Sequence, residues 1–218
     1  MNTTRAEENY LKAIYRLTKT KKQVILPNLI AEKVQVNPAS VVDMIKKLVR
    51  KELISYSRKE GAKLTDTGQR IALNIVRSHR LWEVFLVEKL EYSWSEIHVI
   101  AEQLEHIKHP DLVDKLDSFL DFPSFDPHGD PIPDKMGAYP ISKKIFLSTL
   151  SIGAECKVIS VSDDNTDFLN YLEKLGISIG TKIKILEKNA FDDSLSLQIE
   201  KKNIITVSRK FADSLYVI

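Results

Sequence analysis

Histidine and glutamate side chains recur at short intervals in one stretch near the middle of this 218-residue chain. The five positions are His98, Glu102, Glu105, His106 and His109. On an α-helix, which turns by about 100° per residue, they fall within roughly a quarter of the circumference. Imidazole and carboxylate groups on adjacent turns can converge on one divalent cation. The spacing therefore predicts a metal site, and the alternative is a solvated helix face.

A second pair of the same residue types precedes this stretch. His79 and Glu83 are four residues apart, a spacing that places both on one face of a helix. Glutamates that gather on one face repel one another, so a positive charge is expected among them. Because two segments show the pattern, metal binding is favoured over the solvated-face alternative.

The types of ligand indicate which metals would bind. The only cysteine is Cys156, so neither an intrachain disulfide nor a thiolate zinc site is available. Carboxylates and imidazoles suit Mn²⁺ or Fe²⁺, and Zn²⁺, Co²⁺ or Ni²⁺ would also bind them. A metal-bound water could in principle hydrolyse a substrate. However, the sequence has no HExxH motif, nucleophile elbow or phosphate-cradling glycine loop, so we predict that the protein is not an enzyme.

Charge is divided unevenly along the chain. Residues 1–80 contain 17 Lys/Arg against 7 Asp/Glu, a net charge of +10, whereas residues 81–140 contain 4 against 13, a net charge of −9. The basic segment predicts a nucleic-acid surface, and the acidic segment is typical of a cation site. The alternative is chance segregation of solvated charge.

The basic segment has the pattern of a winged helix-turn-helix. Apolar residues at helical spacing predict a first helix, followed by two shorter ones, the last with Asn37 as its N-cap and Pro38 in its first turn. An alternating stretch that turns at Glu60 and Gly61 predicts a small hairpin, the wing. Helix-turn-helix shapes also occur in protein-interaction modules, but the net charge of +10 favours DNA. The segments are AEENYLKAIYRLTK, LPNLIAEKV, NPASVVDMIKKLVRKELI and ISYSRKEGAKLT.

The last of these short helices is the candidate for insertion into a major groove. Side chains at its start are expected to face the bases, and basic side chains further along it and on the wing are expected to contact phosphates. The first set is Asn37, Pro38, Ala39, Ser40 and Asp43. The second set is Lys46, Lys47, Arg50, Lys51, Arg58, Lys59 and Lys63.

The remaining pattern predicts a mainly α fold with a small β domain. A long helix starts at Asp66, a second spans about residues 95–107, and a third leads to a loop rich in Pro, Gly and Asp. Short alternating strands with one helical interruption then predict a small barrel-like unit. No membrane span or signal peptide is indicated, so a cytoplasmic protein is expected. The expected domains are residues 1–74, 75–140 and 141–218.

These motifs resemble the DtxR/MntR family of metal-dependent transcriptional repressors. The similar segments are ENYLKAIYRL, the helix-turn-helix with NPASV, RSHRLWE, HVIAEQLEH and FDPHGDPIP. The stretch LEKLGISIGTKIKILEKN is similar to the SH3-like, FeoA-type third domain of the longer members. The resemblance covers nearly the whole chain. It implies an N-terminal winged helix-turn-helix, a helical dimerisation and metal-binding domain, and a C-terminal SH3-like β barrel.

The resemblance also implies two metal sites per subunit. The primary, activating site is matched by Glu102, Glu105 and His106. Glutamate at the first of these positions is typical of manganese-responsive members, whereas iron-responsive members have cysteine there. The first helix of the family supplies an Asp or Met ligand where this chain has Asn9, with Glu8 beside it. An amide oxygen binds a hard cation more weakly than a carboxylate does, which softens the argument for manganese.

The ancillary site of the family is completed by an acidic or amide side chain from the third domain. The matching residues and the candidates for its completion are His79, Glu83, His98, Asp164 and Asp167. Lys12 stands where short manganese-type members have an acid, so the paired-ion geometry of those members is not expected here.

The function implied by the resemblance is repression by a homodimer that binds Mn²⁺, or alternatively Fe²⁺. The bound cation would favour the spacing at which two recognition helices match successive major grooves of a palindromic operator, so metal and DNA strengthen each other's binding. The alternative class is a cytoplasmic metal-handling or transport-accessory protein, indicated by the FeoA-like domain and the acidic helix. A metalloenzyme is the third class. Metal-dependent, salt-sensitive retention on duplex DNA distinguishes the repressor from both.

Overall fold

The computed structural model describes residues 3–20, 24–140, 144–162 and 165–218, which form two compact units. Each unit buries apolar side chains of its own. The first unit comprises Met1–His79, Glu102–Leu116 and Pro133–Ala138. The second comprises Arg80–Ala101, Asp117–Ile132 and Tyr139–Ile218.

Three helices open the first unit, as the apolar spacing predicts. Leu11 and Ile14 are fully buried and lie three residues apart on the inner face of the first helix. The third helix begins at Pro38, where the missing N–H costs no hydrogen bond. The predicted N-cap is confirmed, because the side chain of Asn37 accepts a hydrogen bond of 2.9 Å from the Ala39 N–H. The helices are α1 (Arg5–Thr20), α2 (Pro27–Val34) and α3 (Pro38–Arg50).

The predicted wing is also confirmed, as an antiparallel hairpin of β1 (Ile54–Ser57) and β2 (Gly61–Leu64). Gly61 has a φ of +71°, a conformation that L side chains rarely adopt. A Cβ atom at this position would lie 2.6 Å from the carbonyl oxygen of Ile25. The turn therefore depends on glycine for two separate reasons.

The middle of the chain forms α4 (Asp66–Leu90), α5 (Trp94–Leu104) and α6 (Leu112–Phe119). The predicted extension of the second of these helices to residue 107 is wrong. Its end is closed by a hydrogen bond from the Ile107 N–H to the Leu104 carbonyl, an i to i+3 turn that tightens the chain before Pro110. Glu105, His106 and His109 therefore follow the end of the helix, and the expectation that all five His and Glu positions share one helix face is wrong.

A six-stranded antiparallel sheet makes up most of the last third of the chain, and the expected fold class is confirmed. The four predicted strand segments and the helical interruption are present, and two short strands and one short helix are additional. The strand order is β3-β8-β4-β5-β6-β7. The strands are β3 (Ile145–Phe146), β4 (Glu155–Val161), β5 (Lys182–Lys188), β6 (Leu195–Ile199), β7 (Asn203–Val207) and β8 (Leu215–Val217). The helices are α7 (Thr166–Lys174) and α8 (Arg209–Ala212).

The core of this sheet follows the alternation of its strands. Leu195, Leu197 and Ile199 of β6 are buried, whereas the residues between them are half-buried. Leu172 of α7 is fully buried in the same cluster. Within the described ranges, no helix combines the length and hydropathy that crossing a bilayer requires.

Candidate metal centres and nucleic-acid interface

The first group of potential ligands lies within the first unit, beside the end of α5. His79, Glu102 and Glu105 each offer one ligand atom, and these three atoms lie within 4.8 Å of one another. The side chain of Glu105 is fully buried, and its Oε2 is 2.6 Å from Nδ1 of His79. The ring of His106 brings Nε2 to 3.4 Å from Glu105 Oε1. We call these four residues, together with Glu8, Asn9 and Lys12 of α1, the first cluster.

Lys12 places its ammonium group between the two carboxylates of this cluster. Its Nζ donates to Glu102 Oε1 at 2.5 Å and to the two oxygens of Glu105 at 2.7 and 2.8 Å. The lysine side chain is only 5% exposed. The carboxylates are thus partly neutralised by a residue from α1, ninety or more positions away in the sequence.

Glu8 joins the cluster through His106. Its Oε2 is 2.7 Å from His106 Nδ1, and its Oε1 accepts from Thr3 Oγ1 at 2.6 Å and lies 2.9 Å from Lys108 Nζ. Burial by itself would raise the pKa of Glu8, but the hydrogen bonds from His106, Lys108 and Thr3 outweigh it and lower the pKa to about 2. Glu8 is therefore ionised at neutral pH and already has its partners.

Among the buried atoms of the first cluster, Oδ1 of Asn9 and Nε2 of His106 make no hydrogen bond to the described residues. Buried polar atoms normally have a partner, so such atoms beside carboxylates are consistent with ligation of an ion. Carboxylate, imidazole and amide oxygen donors without thiolate fit a hard or borderline divalent cation. The donor set therefore fits Mn²⁺ or Fe²⁺, the ions expected from the sequence.

A second group of ligand types lies within the second unit, around the buried carboxylate of Glu83. Oε1 of Glu83 is 3.3 Å from His98 Nδ1 and 3.8 Å from His128 Nε2. His79 precedes Glu83 by one turn of α4. Glu83, His98 and His128, with Asp126 of the same loop as His128, are called the second cluster.

His128 and Asp126 were not predicted as site residues. They lie in the Pro- and Gly-rich loop between α6 and β3. A loop has no helical or strand periodicity from which buried side chains could be predicted. Asp126 Oδ1 accepts the backbone N–H groups of His128 and Asp130, each at 2.9 Å. The pKa of Asp126 is raised well above its usual value by burial and by the nearby carboxylates of Glu83 and Asp130. The sequence indicates these two residues only through the segment DPHGD, whose His and Asp have no helical or strand spacing that would predict a metal site.

Three expected metal-site residues are not brought into either cluster. Asp164 lies outside the described residues. Asp167 is exposed in the first turn of α7, and the groups of metal-competent side chains within the described ranges do not include it. His109 is exposed beyond the end of α5, where its Nδ1 accepts from the Asp111 N–H.

The side chains expected to contact DNA lie mostly at the surface of α3 and the wing. Those from the start of α3 are exposed, and Asp43 and Lys46 pair with each other at 3.1 Å. Lys47 and Lys51 are half-buried. The exposed residues are Asn37, Pro38, Ala39, Ser40, Asp43, Lys46, Arg50, Arg58, Lys59 and Lys63.

Lys47 and Lys51 of this surface also pair within the protein. Their Nζ atoms lie 3.2 and 2.8 Å from Oε1 of Glu7, whose side chain is fully buried. Burial opposes ionisation of Glu7, but hydrogen bonds from Lys51, the Thr4 N–H and Lys47 lower its pKa to about 2. Glu7 therefore connects α1 to α3, and the adjacent Glu8 connects α1 to His106.

Three family models together match most of the chain. Residues 2–62 match the iron dependent repressor N-terminal DNA binding domain, and residues 65–134 match the iron dependent repressor metal binding and dimerisation domain. Residues 145–218 match the FeoA domain. The three models thus divide the chain into a DNA-binding, a metal-binding and a FeoA region.

Individual proteins show the same similarity. A solved manganese-dependent transcriptional repressor in complex with manganese is 32% identical, with a TM-score of 0.82 over 97% of this chain and 99% of that chain. The iron-dependent repressor IdeR of Mycobacterium leprae is 28% identical over 193 residues, 82% of each protein. A probable metal transport system membrane protein of Chlamydia trachomatis is 40% identical over 88 residues, which span only 19% of that protein. The chain therefore belongs to the DtxR/MntR family of metal-dependent transcriptional repressors and carries its N-terminal DNA-binding domain.

Proposed function

We propose that this protein is a dimeric repressor that binds a palindromic operator when Mn²⁺, or alternatively Fe²⁺, occupies the first cluster. One observation carries the proposal: the first turns of α1 contact both the cluster and α3. Glu8 pairs with His106, and the adjacent Glu7 pairs with Lys47 and Lys51. A change at the cluster thus reaches the proposed DNA surface through a single rigid element.

The proposed ligands of the activating ion are Glu102, Glu105 and His106, with the orphaned Oδ1 of Asn9. The short distance between His79 and Glu105 supports a role for His79 in the same cluster. A bound cation would supply a positive charge that these donors share. The donors come from α1, α4 and the end of α5, so binding would fix these segments of the first unit relative to one another.

We assign a second cation site to Glu83, His98 and His128. The support is the gathering of two imidazoles around one buried carboxylate. Imidazole and carboxylate groups gathered in this way are suitable ligands for a divalent cation. Asp126, which accepts the N–H of His128, is a further candidate ligand once ionised. The other metals named above, Zn²⁺, Co²⁺ and Ni²⁺, are expected to compete at both clusters in vitro.

Dimerisation is proposed through the helical segment of the second unit. Leu90, Phe119 and Phe122 are each more than half exposed there. Exposed large apolar side chains in one segment are typical of an interface. The proposed domains are 1–74 for DNA binding, 75–140 for dimerisation and metal binding, and 141–218 for the FeoA-type unit. Because its proposed partner is DNA, we place the protein in the cytoplasm.

The linkage between metal and DNA supplies the test. Fluorescence anisotropy with duplex DNA from the promoters of its own and neighbouring metal-transport genes would be titrated in chelator, Mn²⁺, Fe²⁺ and Zn²⁺. We expect Mn²⁺ or Fe²⁺ to tighten binding by roughly tenfold or more, in line with typical coupling free energies. The variants Glu102→Ala and Glu105→Gln should lose this gain, whereas Glu155→Gln, an exposed strand position, should keep it.

The outcome also distinguishes the alternative function. The chlamydial match to part of a probable metal transport protein, together with the FeoA match, is the specific observation in favour of a metal-handling role. If Mn²⁺ binds but DNA is not retained even at low salt, the repressor proposal fails and the metal-handling role replaces it.

A further inference from the structure

We propose that Glu7 takes the place of a DNA phosphate: its carboxylate binds Lys47 and Lys51 and withholds both lysines from the operator. The phosphates are then bound by the remaining basic side chains of α3 and the wing. This inference rests on the proposed function, because it concerns how the same α3 surface binds duplex DNA. The observation behind it is that two of the lysines expected to contact DNA pair with a carboxylate from another helix.

The carboxylate of Glu7 offers both of its oxygens to the lysines. Its Oε1 lies 3.2 Å from Lys47 Nζ and 2.8 Å from Lys51 Nζ, and its Oε2 accepts from Lys51 Nζ at 2.9 Å. The side chain of Glu7 is fully buried, whereas the two lysine side chains are 43% and 31% exposed. The lysines therefore cover a buried anion, and this anion occupies their ammonium groups as a phosphate would.

The start of α1 holds this carboxylate in place. Thr4 precedes the helix, and its Oγ1 accepts from the Glu7 N–H at 3.3 Å, while Glu7 Oε2 accepts from the Thr4 N–H at 2.8 Å. This reciprocal pair is a capping box, a motif in which glutamine can replace glutamate. Burial opposes ionisation, yet hydrogen bonds to this carboxylate, the largest from Lys51, lower the pKa of Glu7 to about 2. A full negative charge therefore faces the lysines at neutral pH.

The competition between Glu7 and DNA favours Glu7. To reach a phosphate, each lysine would have to leave a carboxylate that is closed to water, and a buried charge without its partner is strongly unfavourable. A contact between lysine and phosphate at the solvated surface of DNA is weaker, because water and salt screen it. Lys47 and Lys51 are therefore expected to stay on Glu7 in the complex, where they displace no counterions from DNA.

Other basic residues of the same helix are not committed in this way. Lys46 pairs with Asp43 at 3.1 Å, and both side chains are exposed. Such a solvated pair contributes little, so it separates at small cost. Arg50 is also exposed and lies four residues after Lys46, on the same face of α3. Lys46 and Arg50 thus serve as reference positions for phosphate contacts.

The experiment measures how DNA affinity depends on salt, by fluorescence anisotropy of the full-length protein in Mn²⁺ with the promoter duplexes named above. Each phosphate contact adds about 0.9 to the slope of log affinity against log salt concentration. Glu7→Gln keeps the capping box and releases the lysines, so the slope should steepen by up to about 1.8 and binding at low salt should tighten by roughly tenfold or more. Adding Lys47→Met and Lys51→Met to Glu7→Gln should restore the parent slope. In the parent, Lys46→Met with Arg50→Met should lower the slope by about 1.8.

A matched control separates release of the lysines from the loss of one negative charge. Glu32→Gln removes the charge of an exposed glutamate on α2 and should leave the slope near that of the parent. An unchanged slope in Glu7→Gln, or a steepening that persists after both lysines are replaced, would overturn the proposal. Equal steepening in Glu32→Gln would overturn it as well.

Chemical footprinting of the parent protein tests the proposal without any variant. Lysines are acetylated with and without saturating DNA, and the modified positions are read by mass spectrometry. DNA should protect Lys46 and leave Lys47 and Lys51 as reactive as in the free protein, whereas equal protection of all three would overturn the proposal. Failure of the proposed function is distinguishable, because the parent and every variant would then stay unbound in Mn²⁺ and DNA would protect none of these lysines.

Discussion

The two clusters differ in how their carboxylates are compensated, although both are built from Glu and His. In the first cluster the acids contact cationic side chains from other segments: Lys12 bridges Glu102 and Glu105, and Lys108 contacts Glu8. In the second cluster Asp126 pairs with Arg80 at 3.4 Å, but burial and the carboxylates of Glu83 and Asp130 outweigh this pairing and raise the pKa of Asp126. The carboxylates of the first cluster are thus paired with cationic side chains of the same chain, whereas in the second cluster burial and neighbouring carboxylates hold the pKa of Asp126 above its usual value.

The difference teaches that similar ligand sets can have different roles. A compensated cluster holds its carboxylates together through ion pairs within the chain. An under-compensated cluster gains more from a cation, since the ion removes a repulsion that is already present. Four experiments would break or sharpen this contrast.

The largest effect is expected from Glu105→Ala, because it leaves the buried ammonium of Lys12 with a single partially exposed partner. Breaking a buried ion pair costs about 3 to 5 kcal/mol. Denaturant unfolding in chelator should show this loss in the free energy of unfolding. Glu155→Ala removes an exposed partner of Lys184 and should change it by less than about 1 kcal/mol. Equal effects of the two variants would show that Lys12 is not held by charge.

The loop of the second cluster should depend on Gly129, which has a φ of +76°. A Cβ atom there would lie 1.7 Å from the Ile159 carbonyl oxygen, so Gly129→Ala must displace the loop and His128 with it. We expect a loss of roughly 2 to 4 kcal/mol by thermal unfolding. Gly153→Ala has a similar φ of +85° with no atom near its Cβ, and should cost only about 1 kcal/mol. Indistinguishable melting of the two variants would contradict the steric explanation.

Acidification should weaken the first cluster through Glu8, whose pKa is about 2 in the folded protein against 4.5 for a free side chain. A lowered folded-state pKa contributes stability that is present above the unfolded value and lost as pH falls towards 2. The contribution is roughly 2 to 3 kcal/mol at neutral pH. The unfolding free energy of Glu8→Gln should therefore approach that of the wild type between about pH 4.5 and 2. Exposed Glu32→Gln serves as the control, and a gap that persists at the lowest pH would refute the pairing with His106.

The smallest change is expected from Asp126→Asn. A raised pKa has the opposite sign: its cost in stability is full above the folded-state pKa, decreases as pH falls below it, and is absent below the ordinary value of 3.8. Asparagine keeps the oxygen that accepts the two backbone N–H groups, so we expect a change within about 1 kcal/mol, neutral or stabilising, in chelator. A large destabilisation of Asp126→Asn would mean that its pairing with Arg80, at 3.4 Å, outweighs the repulsion.

Local sequence determined the helical and hairpin elements of this protein and the types of ligand it carries. Apolar spacing predicts α1 to α4, and Asn37 and Gly61 mark a helix start and a turn because these positions need particular side-chain or backbone properties. The pairing of His79 with Glu83 on one helix follows from the helical period alone. The separation of basic and acidic segments likewise follows from counting charged residues along the sequence.

Tertiary structure alone decided which ligands meet and how their charges are balanced. Lys12 reaches Glu105 across 93 residues of sequence, and no period connects the two positions. His128 enters the second cluster from an irregular loop, whose path is set by the φ of Gly129 and by hydrogen bonds to Asp126. Periodicity describes one element at a time, whereas burial and the cancellation of charge depend on every element that surrounds a group.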